Sequence, residues 1–205
     1  MPNIVSRNKV MSNQYQTEEY RTLQHQTLQH QTLLHRTLLH RTLLESAVWQ
    51  SDKQVESLTG TEQEWLLCTD SLTAKLKQNC REFSVKLLCQ QWVTQLTDNE
   101  SAVLAPDQRY FIREVFLYGD QQAWVFARTV MPEQICRRFP QLMALAEKPL
   151  GEFLFEQKLE RSGLQWSKIG QLAARRSLFT AESSSANSPD SLLVTELFLE
   201  DFNLL

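Results

Sequence analysis

The chain has 205 residues, 42% of them hydrophobic, with 21 basic against 24 acidic side chains. That length holds one ordinary domain plus an appendage, and a net charge of −3 with no basic stripe argues against nucleic-acid binding as the main task. No apolar run approaches the roughly 20 residues that span a bilayer.

The first twenty residues are polar and charged, without an apolar signal core, so a secreted form is not expected. Cys68, Cys80, Cys89 and Cys136 lie too far apart for the close pairs of zinc or redox motifs. They read as reduced thiols, and a cytoplasmic location follows. No metal and no cofactor is expected.

Residues 22–44 repeat a pentapeptide of the form Thr-Leu-Leu/Gln-His-Arg/Gln. Five residues turn an α-helix by about 500°, so equivalent positions never form one stripe. A helix fits this segment; a stable core does not. All four histidines, His25, His30, His35 and His40, fall in the repeat. Their spacing of five supplies neither the helical nor the strand pairing that metal binding wants. Residues 1–60 therefore read as a low-complexity extension, with Met11 as an alternative start, and residues 61–205 as the working domain.

Thr59-Gly60-Thr61 breaks the repeat, and Glu62 to Asn79 looks helical, with Asp70 and Ser71 as caps that restart a second helix. Phe83, Val85 and Leu87 alternate as in a strand, followed by Trp92 and Val93. Arg109–Tyr118 and Ala123–Met131 form a hairpin around the polar stretch Gly119-Asp120-Gln121-Gln122. A helical stretch from Pro132 to Lys148 is interrupted at Pro140. Phe153-Leu154-Phe155 is a short apolar segment, and Leu164–Phe179 supplies one or two strands. Ser183 to Asp190 is a loop, and Leu192–Leu199 a final strand. Strands bunched among helices define an antiparallel α+β domain.

Two features place charge on apolar strand faces. Phe111, Arg113, Val115 and Leu117 share one face of the first hairpin strand, and Trp124, Phe126, Arg128 and Val130 share a face of the second. An even-numbered turn sets Arg113 opposite Arg128; a three-residue loop or a bulge separates them. Glu196 stands among Leu192, Val194 and Phe198 on the last strand. Either Glu196 and an arginine form an internal ion pair, or the arginines receive an anionic ligand that Glu196 helps to orient. Glu114 lies on the opposite strand face, where a second-layer ion pair is the expectation. Arg137-Arg138 and Arg175-Arg176 read as solvated basic pairs. With no histidine outside the repeat, Ser-His or Cys-His nucleophiles are not expected, and five glycines make no phosphate loop.

Several segments together resemble the chorismate lyase family. They are Trp65-Leu66-Leu67, Asp70-Ser71-Leu72-Thr73, Arg109-Tyr110-Phe111-Ile112-Arg113-Glu114, Ala127-Arg128-Thr129-Val130, Pro149-Leu150-Gly151 and Leu193-Val194-Thr195-Glu196-Leu197-Phe198. Their order and spacing run from about residue 62 to the C-terminus; the repeat has no counterpart. The resemblance implies a central antiparallel sheet of about six strands, with helices packed on it and helical flaps over an internal ligand site. It implies conversion of chorismate to 4-hydroxybenzoate and pyruvate, the committed step of ubiquinone synthesis, by a carbon–oxygen lyase. On that resemblance Arg113 binds a carboxylate and Glu196 meets the reacting or hydroxyl-bearing end, so these two carry catalysis. Leu72 and Leu150 contact the ligand from the helical segments, and Arg128 stands beside the cavity. The family more usually has Met where Leu72 stands, a residue of similar volume.

The chemistry suits these residues. Chorismate is a dianion, so arginines on an apolar surface are a sensible receiver, and aromatisation of its ring drives the reaction without redox change. The expected partner is this small molecule, with no nucleic acid and no membrane span, acting on a monomer. Two other readings compete. A non-catalytic small-acid sensor of the same fold, as in effector domains of transcription regulators, would carry a helix-turn-helix where the repeat stands. An interaction protein would do its work through the repeat and lose it on truncation after residue 60.

Overall fold

The computed structural model describes residues 31–181 and 191–202. The loop expected at Ser183 to Asp190, Met11, and the first part of the repeat with His25 and His30 lie outside these. Contacts divide the chain into two units, Met1–Arg41 and Thr42–Leu205. Residues 31–45 are helical (α1). No helix among the described residues is long and apolar enough to cross a membrane.

The second unit is built on one seven-stranded antiparallel sheet in the order β1-β5-β6-β7-β4-β3-β2. The strands are β1 (Gln50–Ser51), β2 (Phe83–Val93), β3 (Tyr110–Gly119), β4 (Gln122–Pro132), β5 (Glu160–Ile169), β6 (Leu172–Thr180) and β7 (Ser191–Phe198). The expected α+β class is thus observed, with β1 as the strand beyond six. It lies in the stretch read as an extension and is fixed where Trp166 Nε1 donates to Ser51 O at 3.1 Å. A strand of two residues carries no readable alternation.

The helical signals near residue 60 resolve into α2 (Gly60–Leu66) and α3 (Leu72–Gln78). Thr59 and Glu62 form a reciprocal capping box on α2, and Ser71 Oγ accepts from Ala74 N to start α3. A single turn, α4 (Asp98–Ser101), follows β2. Pro140 ends the next helical run as expected, leaving α5 (Glu133–Arg138) and a 3-10 turn over Pro140–Ala144. The apolar segment around Phe153 is helix α6 (Leu150–Glu156). Its pattern Leu150, Phe153, Leu154 has helical spacing, and those three residues are buried.

The β3–β4 hairpin corrects the expected register. The turn is two residues long, and Asp120 and Gln121 have φ of 48° and 68°, as a primed turn requires. Tyr118 therefore opposes Ala123, but the next pair is Leu117 with Val125. Trp124 is the extra residue of a β-bulge, its indole ring lying where a Cβ on Gly119 would sit and packing on Phe202 at 5.2 Å between centroids. Beyond the bulge Arg113 opposes Thr129, and Arg128 opposes Glu114. The two arginines thus stand on opposite faces of the sheet.

The helix-covered face carries two apolar clusters. One joins Trp65, Leu66, Leu72 and Leu76 to the strand residues Val115 and Leu117. The other joins Ile135, Leu142, Leu150 and Leu154 to Phe111 and Val194. The opposite face carries a further cluster of Leu104, Tyr110, Ile112, Val130 and Leu193.

Candidate active site

Between the two clusters lies a cavity of about 160 Å³, close to the roughly 150 Å³ that admits benzene in other proteins. Its floor is the sheet: Val115 and Leu117 from β3, Ala127 and Thr129 from β4, Val194 from β7. Its roof is two helical flaps, α3 with Leu72 and Thr73 and α6 with Leu150, Gly151 and Leu154. The flaps touch at Gly151, where a Cβ would stand 3.0 Å from Ser71 Oγ and 3.1 Å from Thr73 Oγ1. Outside this contact Lys77 Nζ reaches Glu152 Oε1 at 2.6 Å.

Arg113 and Glu196 face this cavity from the same side of the sheet, as do Leu72 and Leu150 from above. The path from β3 to β7 crosses β4, and Glu196 is in line with Val115 rather than Arg113. The two charged residues therefore stand two strand spacings apart across the sheet and two residues apart along it, about 12 Å between their backbones. Arg113 is 2% exposed and has no carboxylate partner among the described residues. Its Nε and Nη2 donate to Ala146 O at 3.3 and 2.8 Å, and Nη2 to Lys148 O at 2.8 Å. Ala146 has φ of 47°, a conformation L residues rarely hold, and the two bonds from Arg113 fix that loop. Burial pulls the Arg113 pKa down to about 10, still charged at neutral pH.

Glu196 is ion-paired. Arg175 Nε donates to Glu196 Oε2 at 2.6 Å, and Arg175 Nη1 donates to Trp65 O and Cys68 O at 3.1 and 3.0 Å. Glu196 Oε1 makes no hydrogen bond to a described residue. The internal ion pair entertained for Glu196 thus exists, within the cavity rather than instead of it. Arg161 also lines the cavity, donating from Nη1 to Cys68 O at 2.9 Å.

Two expectations are corrected. Arg175-Arg176 is not a solvated pair: Arg175 is 1% and Arg176 7% exposed. β6 lies inside the sheet, so adjacent residues point into opposite covered faces. Arg176 binds Gln165 Oε1 and Asn99 O on the far side. The second correction concerns Arg128, which does not line the cavity. Its Nη1 meets Glu114 Oε1 at 2.6 Å and its Nε meets Glu100 Oε1 at 2.7 Å, behind the sheet. The second-layer ion pair expected of Glu114 is this one. Arg161 and Arg175 were missed because the strands holding them have no clean alternation. The signal available was Arg175 set between Ala173 and Ser177, small residues that leave room for a long side chain.

Among the described residues no group of three or more His, Cys, Asp or Glu is placed to hold a metal ion. An antiparallel sheet is thus roofed by two flaps over a mostly apolar chamber lined by three guanidinium groups, in an α+β domain. Residues 43–203 match the family model described as Chorismate lyase. The chorismate pyruvate-lyase of Pectobacterium carotovorum subsp. carotovorum (strain PC1) is 39% identical over 141 residues, covering 67% of this chain and 76% of that protein. The probable chorismate pyruvate-lyase of Idiomarina loihiensis is 36% identical over 171 residues, covering 74% and 84%. The effector domain of PhnF from Mycobacterium smegmatis overlays with a TM-score of 0.48 at 15% identity, covering 65% of this chain and 91% of that one. The chain belongs to the chorismate lyase family.

Proposed function

We propose that the protein converts chorismate to 4-hydroxybenzoate and pyruvate, the first committed step of ubiquinone synthesis. One observation carries the reading: Arg113 and Glu196 face one mostly apolar cavity, roofed by the two flaps, from the same side of the sheet. The family membership and relatives bearing that activity in their names support it. Four free cysteines suit a reducing cytoplasm.

Arg113 receives the ring carboxylate. Its fork is already anchored on two main-chain carbonyls, so little freedom is lost when an anion arrives. Leu72 and Leu150 close on the ring from the flaps. Glu196 lies toward the hydroxyl-bearing end. There the ring–oxygen bond of the enolpyruvyl ether breaks and the hydroxyl-bearing carbon loses its hydrogen. The methylene of the leaving group gains one, giving pyruvate, and the ring becomes aromatic.

The reaction is an isomer-balanced elimination, so orientation in a dry pocket supplies much of what catalysis needs. Because Arg175 already engages Oε2, Oε1 is the oxygen available to the substrate. That favours Glu196 as the group that orients the hydroxyl-bearing carbon. Arg128 has no part in this scheme, being spent on Glu100 and Glu114.

The test is direct. Purified protein is incubated with chorismate, and 4-hydroxybenzoate and pyruvate are followed together. Equimolar appearance of both is expected; well-folded protein that forms neither sinks the reading.

A further inference from the structure

The cavity holds more positive charge than one ring carboxylate uses. Its lining contributes three guanidinium groups, Arg113, Arg161 and Arg175, against one carboxylate, Glu196, a formal surplus of two (three minus one). Glu196 and Arg175 satisfy each other. Arg113 waits at one end on its carbonyl anchors. Arg161, on β5, is then the second cation without an anion.

The surroundings of Arg161 are those of a receptor rather than of a completed bond network. Its Nη1 has one acceptor, Cys68 O at 2.9 Å, and its plane lies over the Phe179 ring at 5.1 Å from the centroid. Its Nε is buried with no hydrogen-bond partner. Folded proteins rarely leave a buried donor unpaired, and a ligand commonly supplies the missing acceptor. The same carbonyl, Cys68 O, also accepts from Arg175 Nη1, so two cations converge on one oxygen. Burial first and the nearby Arg175 second lower the Arg161 pKa by more than Glu196, Cys68 and Asp70 raise it.

We propose that Arg161 seats a second carboxylate, that of the three-carbon side chain the substrate loses as pyruvate. The assignment rests on the lyase reading and deepens it: Arg113 takes the ring carboxylate and Arg161 the side-chain carboxylate, so the surplus of two matches a dianion. Arg161 breaks no bond. It selects a dicarboxylate over a monocarboxylate and holds the departing group in the plane its guanidinium sets.

Ligands with one and two carboxylates separate this from a structural role. KM and kcat for chorismate, Kd for 4-hydroxybenzoate and the melting temperature are measured for the parent, Arg161→Gln and Arg161→Lys. Arg161→Gln is expected to raise KM for chorismate at least about tenfold while Kd for 4-hydroxybenzoate stays within about twofold. Arg161→Lys, which keeps charge without the fork, should recover part of the loss. A residue that merely latches the loop at Cys68 would weaken both ligands alike and lower the melting temperature; that result overturns the assignment. So does an unchanged KM in a parent-like background. A parent that leaves chorismate untouched removes the lyase reading and this assignment with it, whereas an active parent with a parent-like Arg161→Gln removes this assignment alone.

Discussion

Arg175 and Glu196 lie directly opposite each other on neighbouring strands, joined at 2.6 Å with the arginine 1% and the glutamate side chain 12% exposed. The pair fixes the carboxylate by one oxygen and leaves the other to the cavity. Glu196→Gln keeps the shape and an acceptor for Arg175 but removes the negative charge. We expect kcat to fall on the order of a hundredfold or more with KM changing little. Stability should drop by about 1–3 kcal/mol, since Arg175 keeps its Trp65 and Cys68 bonds. Steady-state kinetics and urea denaturation check both, and parent-like kcat would retire the role.

Arg113 is a buried cation waiting for an anion. Arg113→Ala should weaken chorismate binding by roughly 2–5 kcal/mol, because a desolvated charge partner is lost. The sign of its effect on stability follows from its pKa. Burial sets the folded value at about 10, below the usual one, so at neutral pH the charge opposes folding, and relief by deprotonation comes only above about 10. A bound carboxylate supplies that relief at neutral pH. Saturating 4-hydroxybenzoate should therefore raise the melting temperature of the parent and leave that of Arg113→Ala nearly unmoved.

These two residues also show what a sequence can carry. Arg113 and Glu196 were legible because each interrupts an apolar alternation, and two strands alternating the same way bring such residues to one face. Arg128 looked equivalent and is not. One bulged residue, Trp124, reverses which face of β4 meets Arg113, and a bulge is set by packing against Gly119 and Phe202, far away in sequence or unseen in its pattern. Helix α2 was readable from the apolar spacing after Glu62 and α3 from its cap Ser71, whereas the capping role of Thr59 was not read. Helix α6 was harder: seven residues give barely two turns of periodicity. Arg161 and Arg175 depended on knowing that β6 is an interior strand, which is topology rather than pattern.

Gly151 sets how tightly the roof closes. Adding a methyl group there places it 3.0 Å from Ser71 Oγ, the oxygen that caps α3. Gly151→Ala should push the flaps apart and weaken 4-hydroxybenzoate binding on the order of threefold to tenfold, mostly through faster dissociation. Stability should change little, because the helical gain of alanine over glycine, about 1 kcal/mol, offsets a strained cap of similar size. Stopped-flow release and a melting curve measure the two effects separately. Slower release would contradict the proposed contact.

The Lys77–Glu152 pair bridges the same flaps at the surface, with side chains 46% and 54% exposed. Exposed pairs contribute about 0–1 kcal/mol and are screened by salt. Lys77→Gln should leave stability within that range and speed product release only modestly. Its clearer effect is on salt dependence. Release from the parent should quicken between low and high ionic strength, and release from the variant should be flatter. Equal salt dependence in both would mean the clasp does not restrain opening.

Arg128 separates a structural charge from a ligand-binding one. It neutralises Glu114, fully buried, and Glu100, 7% exposed, behind the sheet. Arg128→Ala leaves two carboxylates close together without their cation, and breaking such a buried network costs about 3–5 kcal/mol. At neutral pH the variant should therefore unfold at a lower temperature than the parent, as a melting curve would show. The folded fraction should keep a KM near the parent's, since β4 presents Thr129 and not Arg128 to the cavity. A large rise in KM with unchanged stability would place Arg128 back beside the ligand and would require the hairpin register to differ from the bulged one described above.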